Sequence, residues 1–180
     1  SPRSIDPGEC AEIVSELVAY QASLVTVGIF VNQDPQRIAE ILDTCRLDLA
    51  QLCGNESATD LMALEGRAFK AVRPASMTEA VEFWQTYTRA DPPALLVDAH
   101  VKGAYGGTGE TGDWALARQM AAQAPILLAG GLNPDNVAAA VKAVNPWGVD
   151  VASGVESSPG VKDPAKISAF IFAARSKGNH

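Results

Sequence analysis

The chain has 180 residues, of which 47% are apolar and 19% are charged, as is typical of one globular domain with a full hydrophobic core. The net charge of −7 disfavours nucleic acid or an anionic membrane as a partner, because both bind basic surfaces, and no apolar run approaches the roughly 20 residues that span a bilayer. Cys10, Cys45 and Cys53 are odd in number and lack CxxC spacing, which fits a reducing cytoplasm rather than a disulfide framework or a zinc site.

Short apolar runs alternate with amphipathic segments along the whole chain. In order, the runs occupy residues 24–31, 47–52, 68–72, 94–97, 126–129 and 148–152. They are too short for helices, and several lack polar alternation, which is typical of parallel strands buried on both faces. The pattern predicts a single α/β domain over residues 1–180 with six strand–helix units. An open doubly wound sheet and a barrel both remain possible from the pattern alone.

Helix starts are marked by an N-cap residue followed by proline, which suits the first helical position because its missing N–H needs no partner there. The four pairs are Asp6-Pro7, Asp34-Pro35, Asn133-Pro134 and Asp163-Pro164. We therefore predict that a helix begins at the proline of each pair.

Glycine-bearing loops follow the last two predicted strands. Gly130-Gly131 comes after the fifth strand, and Ser153-Gly154 comes after the sixth. Glycine lets the backbone approach an anion closely, and barrels frequently bind phosphate in their last two loops. Tight turns are the alternative explanation, but the paired placement favours phosphate binding.

Three further strand ends carry polar side chains. Asp98 precedes a long glycine-rich segment, so it is either a general acid beneath a mobile loop or the cap of a turn. Cys53 shares one side of its strand with Gln51 and either lines the pocket or is a small buried apolar residue. Arg73 faces a ligand or forms a salt bridge at the rim.

Taken together in chain order, these segments resemble the phosphoribosylanthranilate isomerase family. The matching motifs are SPR at 1–3, GIFVN at 28–32, AQLCGNE at 50–56, LVDA at 96–99, GGTG at 106–109, DW at 113–114, LAGGL at 128–132, GVDVASGVE at 148–156 and PGVKD at 159–163. They span essentially the whole chain, and their order makes the set specific.

The resemblance implies a TIM (β/α)8-type barrel, of which this chain carries about six βα units, corresponding to strands 3–8. It also implies an Amadori rearrangement in tryptophan biosynthesis. N-(5-phosphoribosyl)anthranilate would become 1-(2-carboxyphenylamino)-1-deoxyribulose 5-phosphate. No metal or organic cofactor is expected, because the substrate nitrogen serves as the electron sink. The expected partner is this small molecule, and the chain is expected to be a monomer or a homodimer.

The resemblance also implies roles for particular residues. Asp98 matches the general acid, Arg3 matches the arginine that holds the anthranilate carboxylate, and Cys53 stands at a substrate-binding position where the family usually has histidine. The phosphate-binding set is Gly107, Gly130, Gly131, Asp150, Ser153 and Gly154. Ala152 replaces a common serine there, which removes one hydroxyl donor.

The general base of the family is a cysteine in a Lys-x-Cys-Gly motif on strand 1, and these 180 residues contain no such motif. We expect the gene product to be longer, with its first strand, first helix and second strand outside this sequence. A fragment that needs a complementing piece, or a rearranged barrel with Cys53 as the base, are the alternatives.

Two other functions also remain open. One is a non-catalytic phosphate-binding barrel fragment, which would bind phosphate without isomerisation. The other is another phosphosugar enzyme such as indole-glycerol-phosphate synthase, which would need catalytic lysines at strand ends. Lys70 lies near the end of its strand and is the one residue that fits that second function.

Overall fold

A computed structural model of the protein describes residues 3–20, 24–99 and 114–176. Its main sheet contains β1 (Val27–Phe30), β2 (Leu49–Leu52), β3 (Ala68–Val72), β4 (Leu95–Asp98), β5 (Ile126–Ala129) and β6 (Gly148–Val149). All neighbouring strands are parallel, and their spatial order is their chain order. A doubly wound sheet reverses its strand order at a switch point, whereas here every strand adds on the same side. The sheet therefore curls into part of a barrel, which confirms the predicted fold class.

Helices connect the strands and cover one face of the sheet. They are α1 (Pro7–Ala19), α2 (Pro35–Cys45), α3 (Ala58–Met62), α4 (Met77–Tyr87), α5 (Trp114–Ala121), α6 (Val137–Val144) and α7 (Pro164–Arg175). Asp6, Asp34 and Asp163 each accept two backbone N–H groups at a helix start, as the sequence predicts. Within the described ranges, no helix combines the length and apolar character that crossing a bilayer requires.

The predicted helix start at Asn133-Pro134 is wrong in position. The regular helix α6 begins at Val137, after a turn. The Asn133 side chain does cap backbone groups, but it accepts the N–H groups of Asp135 and Asn136 within that turn. The same capping chemistry therefore closes a loop before the helix starts.

The two faces of the sheet pack against different partners. Leu95 and Val97 of β4 belong to the main core with Met120 of α5, whereas Leu96 joins a smaller inner cluster with Phe69. Alternate strand residues point to opposite faces, so the helices cover one face and the inner cluster lies on the other. The inner face is the one that carries the candidate site.

The chain after β6 departs from the prediction. The predicted sixth strand at residues 148–152 is only Gly148–Val149, followed by a 3₁₀ turn at Ser153–Val155. An antiparallel hairpin of β7 (Glu156–Ser158) and β8 (Val161–Lys162) then precedes α7. The sequence pattern did not predict this hairpin, because its strands are too short and polar to form an apolar run.

Leu128 tests how strongly the main core stabilises the fold. Its side chain is fully buried on β5, so Leu128→Ala should lower the free energy of unfolding by about 2–5 kcal/mol through lost burial and a residual cavity. The matched change Leu24→Ala removes a side chain that is 63% exposed and should cost much less. Urea unfolding of both variants checks this, and equal losses would contradict the packing described above.

Candidate functional site

The C-terminal ends of four neighbouring strands place polar residues in one row. Asp98 pairs with Ala129 in the register of β4 and β5, and Arg73 and Asp150 directly follow β3 and β6. These three polar residues and Ala129 border a cavity of about 650 Å³ that also reaches Cys53. Active sites of parallel barrels lie at this end of the strands, so the cavity is the candidate active site.

Arg73 and Asp98 form an ion pair across this row. Nη2 of the guanidinium contacts Oδ2 of the carboxylate, and the Arg73 side chain is 57% exposed whereas that of Asp98 is 25% exposed. The sequence left Arg73 open between a ligand-facing residue and a salt bridge. The structure pairs it with the residue predicted to be the general acid.

Asp150 lies on the opposite side of Asp98 from Arg73, and its side chain is partly buried. Burial raises the pKa of its carboxyl group, the nearby Asp98 raises it further, and Lys162 opposes the shift. A carboxyl group with a raised pKa carries its proton more readily, which reduces its repulsion of an anion. Asp150 therefore suits a position beside phosphate better than an ordinary aspartate would.

The two glycine-bearing loops lie together and form a second cavity of about 360 Å³. Gly130, Gly131, Ser153 and Gly154 border it, together with Arg73, Asp98 and Asp150 from the first cavity. Gly130 and Gly131 have φ angles of 107° and 67°, which other residues rarely adopt. A Cβ atom on Gly154 would lie 1.9 Å from the carbonyl oxygen of Leu132. Glycine is therefore required at residues 130 and 131 by the backbone angle, and at residue 154 by the close approach of Leu132.

Two side chains that the sequence analysis missed hold these loops in place. Asn136 donates to the Gly131 carbonyl at 3.0 Å and accepts the Asn133 N–H at 2.8 Å. Lys162 Nζ donates to the Ala152 carbonyl at 2.7 Å. Both lie outside the strand-end motifs, and an asparagine near a turn or a lysine in a short hairpin gives no distinctive signal.

Comparison with known proteins identifies the family of this chain. The family model described as N-(5'phosphoribosyl)anthranilate (PRA) isomerase matches residues 3–173. This chain belongs to that isomerase family. The resemblance found in the sequence is thereby confirmed.

The relatives cover nearly the whole chain. The N-(5'-phosphoribosyl)anthranilate isomerase of Magnetococcus marinus is 44% identical over 175 residues, which span 97% of this chain and 80% of that protein. The crystal structure of phosphoribosyl anthranilate isomerase from Thermotoga maritima is 34% identical, with a TM-score of 0.80 over 97% of this chain and 82% of that one. A phosphoribosyl anthranilate isomerase in complex with reduced 1-(o-carboxyphenylamino)-1-deoxyribulose 5-phosphate is 32% identical, with a TM-score of 0.78 over 97% of this chain and 81% of its own.

Arg3 of this isomerase-family chain is bound to a carboxylate of its own chain. Its Nε and Nη2 donate to the two carboxylate oxygens of Glu156 at 2.7 and 2.6 Å. The residues described around the two cavities do not include Arg3. The guanidinium thus makes a bidentate contact with Glu156, whereas the sequence prediction gives it the carboxylate of the substrate. Its substrate-binding role stays a prediction, and the predicted phosphate ligand Gly107 lies outside the described residues.

Cys53 lines the larger cavity but has the wrong electrostatics for a base. Burial raises the pKa of its thiol, against the opposing influence of the Gln51 side chain, which donates to Sγ at 3.2 Å, and of Lys70. A cysteine base needs a lowered pKa, because the thiolate is the reactive form. The raised pKa of the thiol argues against the alternative of Cys53 as general base, and its place at the substrate pocket stays a prediction.

A buried ion pair fixes the loop that carries Cys53. Lys70 Nζ lies 2.6 Å from Glu56 Oε2 and 2.6 Å from the Gly54 carbonyl oxygen, and both charged side chains are at most 5% exposed. Glu56 also accepts the N–H groups of Asn32 and Gly54 at 2.7 and 2.9 Å. Burial alone would raise the pKa of Glu56, but the Lys70 contact and these amides outweigh it, so the pKa is lowered. One carboxylate thereby ties β1, β2 and β3 together at the cavity rim.

Lys70→Met should destabilise the protein by about 3–5 kcal/mol, because it leaves the Glu56 carboxylate buried without its cation. Adding Glu56→Gln should recover part of that loss, since the remaining charge is removed as well. The control Arg37→Met breaks a half-exposed pair with Glu40 and should cost at most about 1 kcal/mol. Denaturant unfolding measures all three, and a Lys70→Met loss no larger than the control would argue against a buried pair.

The Arg3–Glu156 contact makes a prediction about pH. The hydrogen bonds from Arg3 lower the pKa of Glu156 from 4.5 to about 2, with burial opposing the shift and Lys162 adding to it. The stability that this carboxylate contributes is therefore present above pH 4.5 and is lost as the pH falls towards 2. Arg3→Ala should move the pKa of Glu156 up towards 4.5 in a side-chain NMR titration. Arg37→Ala should leave it unmoved, and so should Arg3→Ala if the contact does not form in solution.

Proposed function

We propose that the protein catalyses the Amadori rearrangement of N-(5-phosphoribosyl)anthranilate to 1-(2-carboxyphenylamino)-1-deoxyribulose 5-phosphate in tryptophan biosynthesis. The observation that carries this proposal is the position of Asp98. It lies in one row with Arg73 and Asp150, and it borders both the larger cavity and the cavity between the two glycine-bearing loops. A phosphate in the smaller cavity would leave the sugar and the aromatic ring in the larger one.

The chemistry requires two proton transfers. Asp98 in its protonated form gives a proton to the ribose ring oxygen, the bond from C1 to that oxygen breaks, and the nitrogen lone pair forms a Schiff base. A base then removes the C2 proton, and the resulting enolamine takes a proton at C1 and loses the proton of its C2 hydroxyl group, which gives the ketone. The resemblance assigns the base to the cysteine of a Lys-x-Cys-Gly motif, which these 180 residues do not contain. The residues of this chain supply the acid and the binding surfaces.

The phosphate site in this proposal is the smaller cavity. Gly130, Gly131, Ser153 and Gly154 lie around it, and the left-handed backbone at the first two allows close approach to an anion. The net charge of −7 makes a local site of this kind necessary, because the protein as a whole repels phosphate. Asp150 borders the site as a carboxyl group whose raised pKa lessens that repulsion.

The structure argues against one of the two competing functions and is compatible with the other. Indole-glycerol-phosphate synthase chemistry would need Lys70 as a catalytic lysine, but its ammonium group is buried and bound to Glu56 and to a backbone carbonyl. A non-catalytic phosphate-binding barrel is compatible with the loops, and measured turnover separates it from the isomerase. A small-molecule partner, a cytoplasmic location, the absence of a cofactor requirement and a monomeric or homodimeric state complete the proposal.

Replacing Asp98 with asparagine tests the assigned acid. Asp98→Asn keeps the shape of the side chain but cannot donate a carboxylic proton, so kcat should fall by about 10²–10⁴-fold. Asp43→Asn makes the same change in an exposed pair with Arg67 and should leave turnover unchanged. Cys53→Ser should also retain most activity, because the raised pKa of that thiol disfavours it as the base. The measurement is the decay of substrate fluorescence.

Each outcome of this assay decides something. Equal kcat in Asp98→Asn and the unaltered protein would remove Asp98 from the acid role. Phosphate binding without any turnover, in a protein that also carries the cysteine of the Lys-x-Cys-Gly motif, would favour the non-catalytic alternative. Loss of turnover in Cys53→Ser would restore Cys53 as a candidate base.

A further inference from the structure

Arg73 lies at the boundary between the two cavities. Its guanidinium group contacts the Asp98 carboxylate, and its side chain lines both the larger cavity and the one bordered by the glycine-bearing loops. No other arginine described in the structure borders either cavity. An exposed guanidinium group is therefore placed beside both the predicted acid and the proposed phosphate site.

The contact with Asp98 has a consequence for acid catalysis. A carboxylate bound to a guanidinium group is held in its charged form, whereas a general acid must carry a proton when substrate binds. The Arg73–Asp98 pair therefore describes a resting state from which the acid must be released. Because the Arg73 side chain is 57% exposed, changing its partner breaks few packing contacts.

Phosphate is a suitable competing partner for the same guanidinium group. The planar fork of arginine binds carboxylate and phosphate with equivalent bidentate geometry. A phosphate monoester carries more negative charge than a carboxylate near neutral pH and has three acceptor oxygens. Replacing the cation beside a carboxylate with an anion favours the neutral acid, since the ionised form would then be repelled.

We propose that Arg73 exchanges its partner Asp98 for the phosphate of the substrate, so that phosphate binding releases Asp98 to take up one proton from solvent. Arg73 is then a phosphate-binding residue that also controls the protonation state of the acid. The guanidinium group keeps its charge throughout, and the proton gained by Asp98 is the one later given to the ribose oxygen. This inference rests on the proposed function, because it presumes that a phosphorylated substrate enters these cavities.

The charged groups around the pair set the background for a test. Asp150 faces Asp98 from the end of β6, and Lys162 of β8 acts on Asp150. Asp150 can also change its protonation when an anion arrives. The contribution of Asp98 must therefore be isolated by difference rather than read from total proton uptake.

The test uses inorganic phosphate as the probe and isothermal titration calorimetry as the method. Titrations in two buffers with different ionisation heats give the phosphate affinity and the number of protons taken up on binding. Arg73→Met should bind phosphate about tenfold more weakly or worse, and Arg73→Lys should fall between Arg73→Met and the unaltered protein, because it keeps the charge but loses the fork. Arg37→Met removes the same charge from a surface pair and should bind normally.

Proton uptake gives the second, independent readout. The unaltered protein should take up more protons per phosphate bound at neutral pH than Asp98→Asn does, because only the former can protonate Asp98. Phosphate affinity in Arg73→Met equal to that of the unaltered protein would overturn the proposal. Equal proton uptake in the unaltered protein and Asp98→Asn would overturn it as well.

This test separates the inference from the function on which it rests. Phosphate binding with Asp98-dependent proton uptake, but without isomerisation, would support the exchange and sink the proposed reaction. Isomerisation that persists unchanged in Arg73→Met would support the proposed reaction and overturn the exchange. Thermal unfolding of each variant shows that it is folded before its affinity is interpreted.

Discussion

The parallel register of the central strands is the constraint on which the site depends. Because Asp98 and Ala129 are partners at the ends of β4 and β5, the residues that follow β3 and β6 must flank them on the same edge. Arg73, Asp98 and Asp150 therefore meet although they lie far apart in the chain. A shift of one residue in any of these strands would turn a polar side chain towards the helices and break the row.

The loops above this row are fixed by polar contacts as well as by apolar packing of Leu132 and Val155. Asn136 bridges its own loop, Lys162 holds the Ala152 carbonyl, and the backbone of Gly154 rests against Leu132. On the far side of the cavity, Glu56 and Lys70 do the same for the loop after β2. Such contacts set atomic positions more tightly than an apolar surface does, because hydrogen bonds depend steeply on distance and angle. The positions of the groups around the cavity rim are consequently fixed by directed contacts.

The sequence predicts most of the strands and helices but few of the side-chain contacts between them. Apolar runs locate all six strands because burial on both faces leaves a local composition signal, and the boundaries of β3 and β5 agree with the predicted ones. The end of β6 and the start of α6 are misplaced, since loop geometry depends on side-chain bonds such as those of Asn133. The Arg3–Glu156 pair joins residues 153 positions apart, and no periodicity reports a contact of that kind. Asp98 is found because it ends a strand, whereas its pairing with Arg73 needed the strand register.

Under the proposed function, the charge pattern of the site would let an acidic protein bind phosphate close to its acid. Two carboxyl groups, Asp98 and Asp150, border the same space as the phosphate loops, and each has a nearby cation, Arg73 and Lys162 respectively. Arg73, the cation near Asp98, has an exposed side chain. Lys162, the cation near Asp150, also donates to the Ala152 carbonyl, and burial raises the pKa of Asp150. An incoming dianion can therefore recruit the more exposed cation without disturbing the other. The carboxyl group that Arg73 would then leave is that of Asp98 at the end of β4, which is the proposed acid.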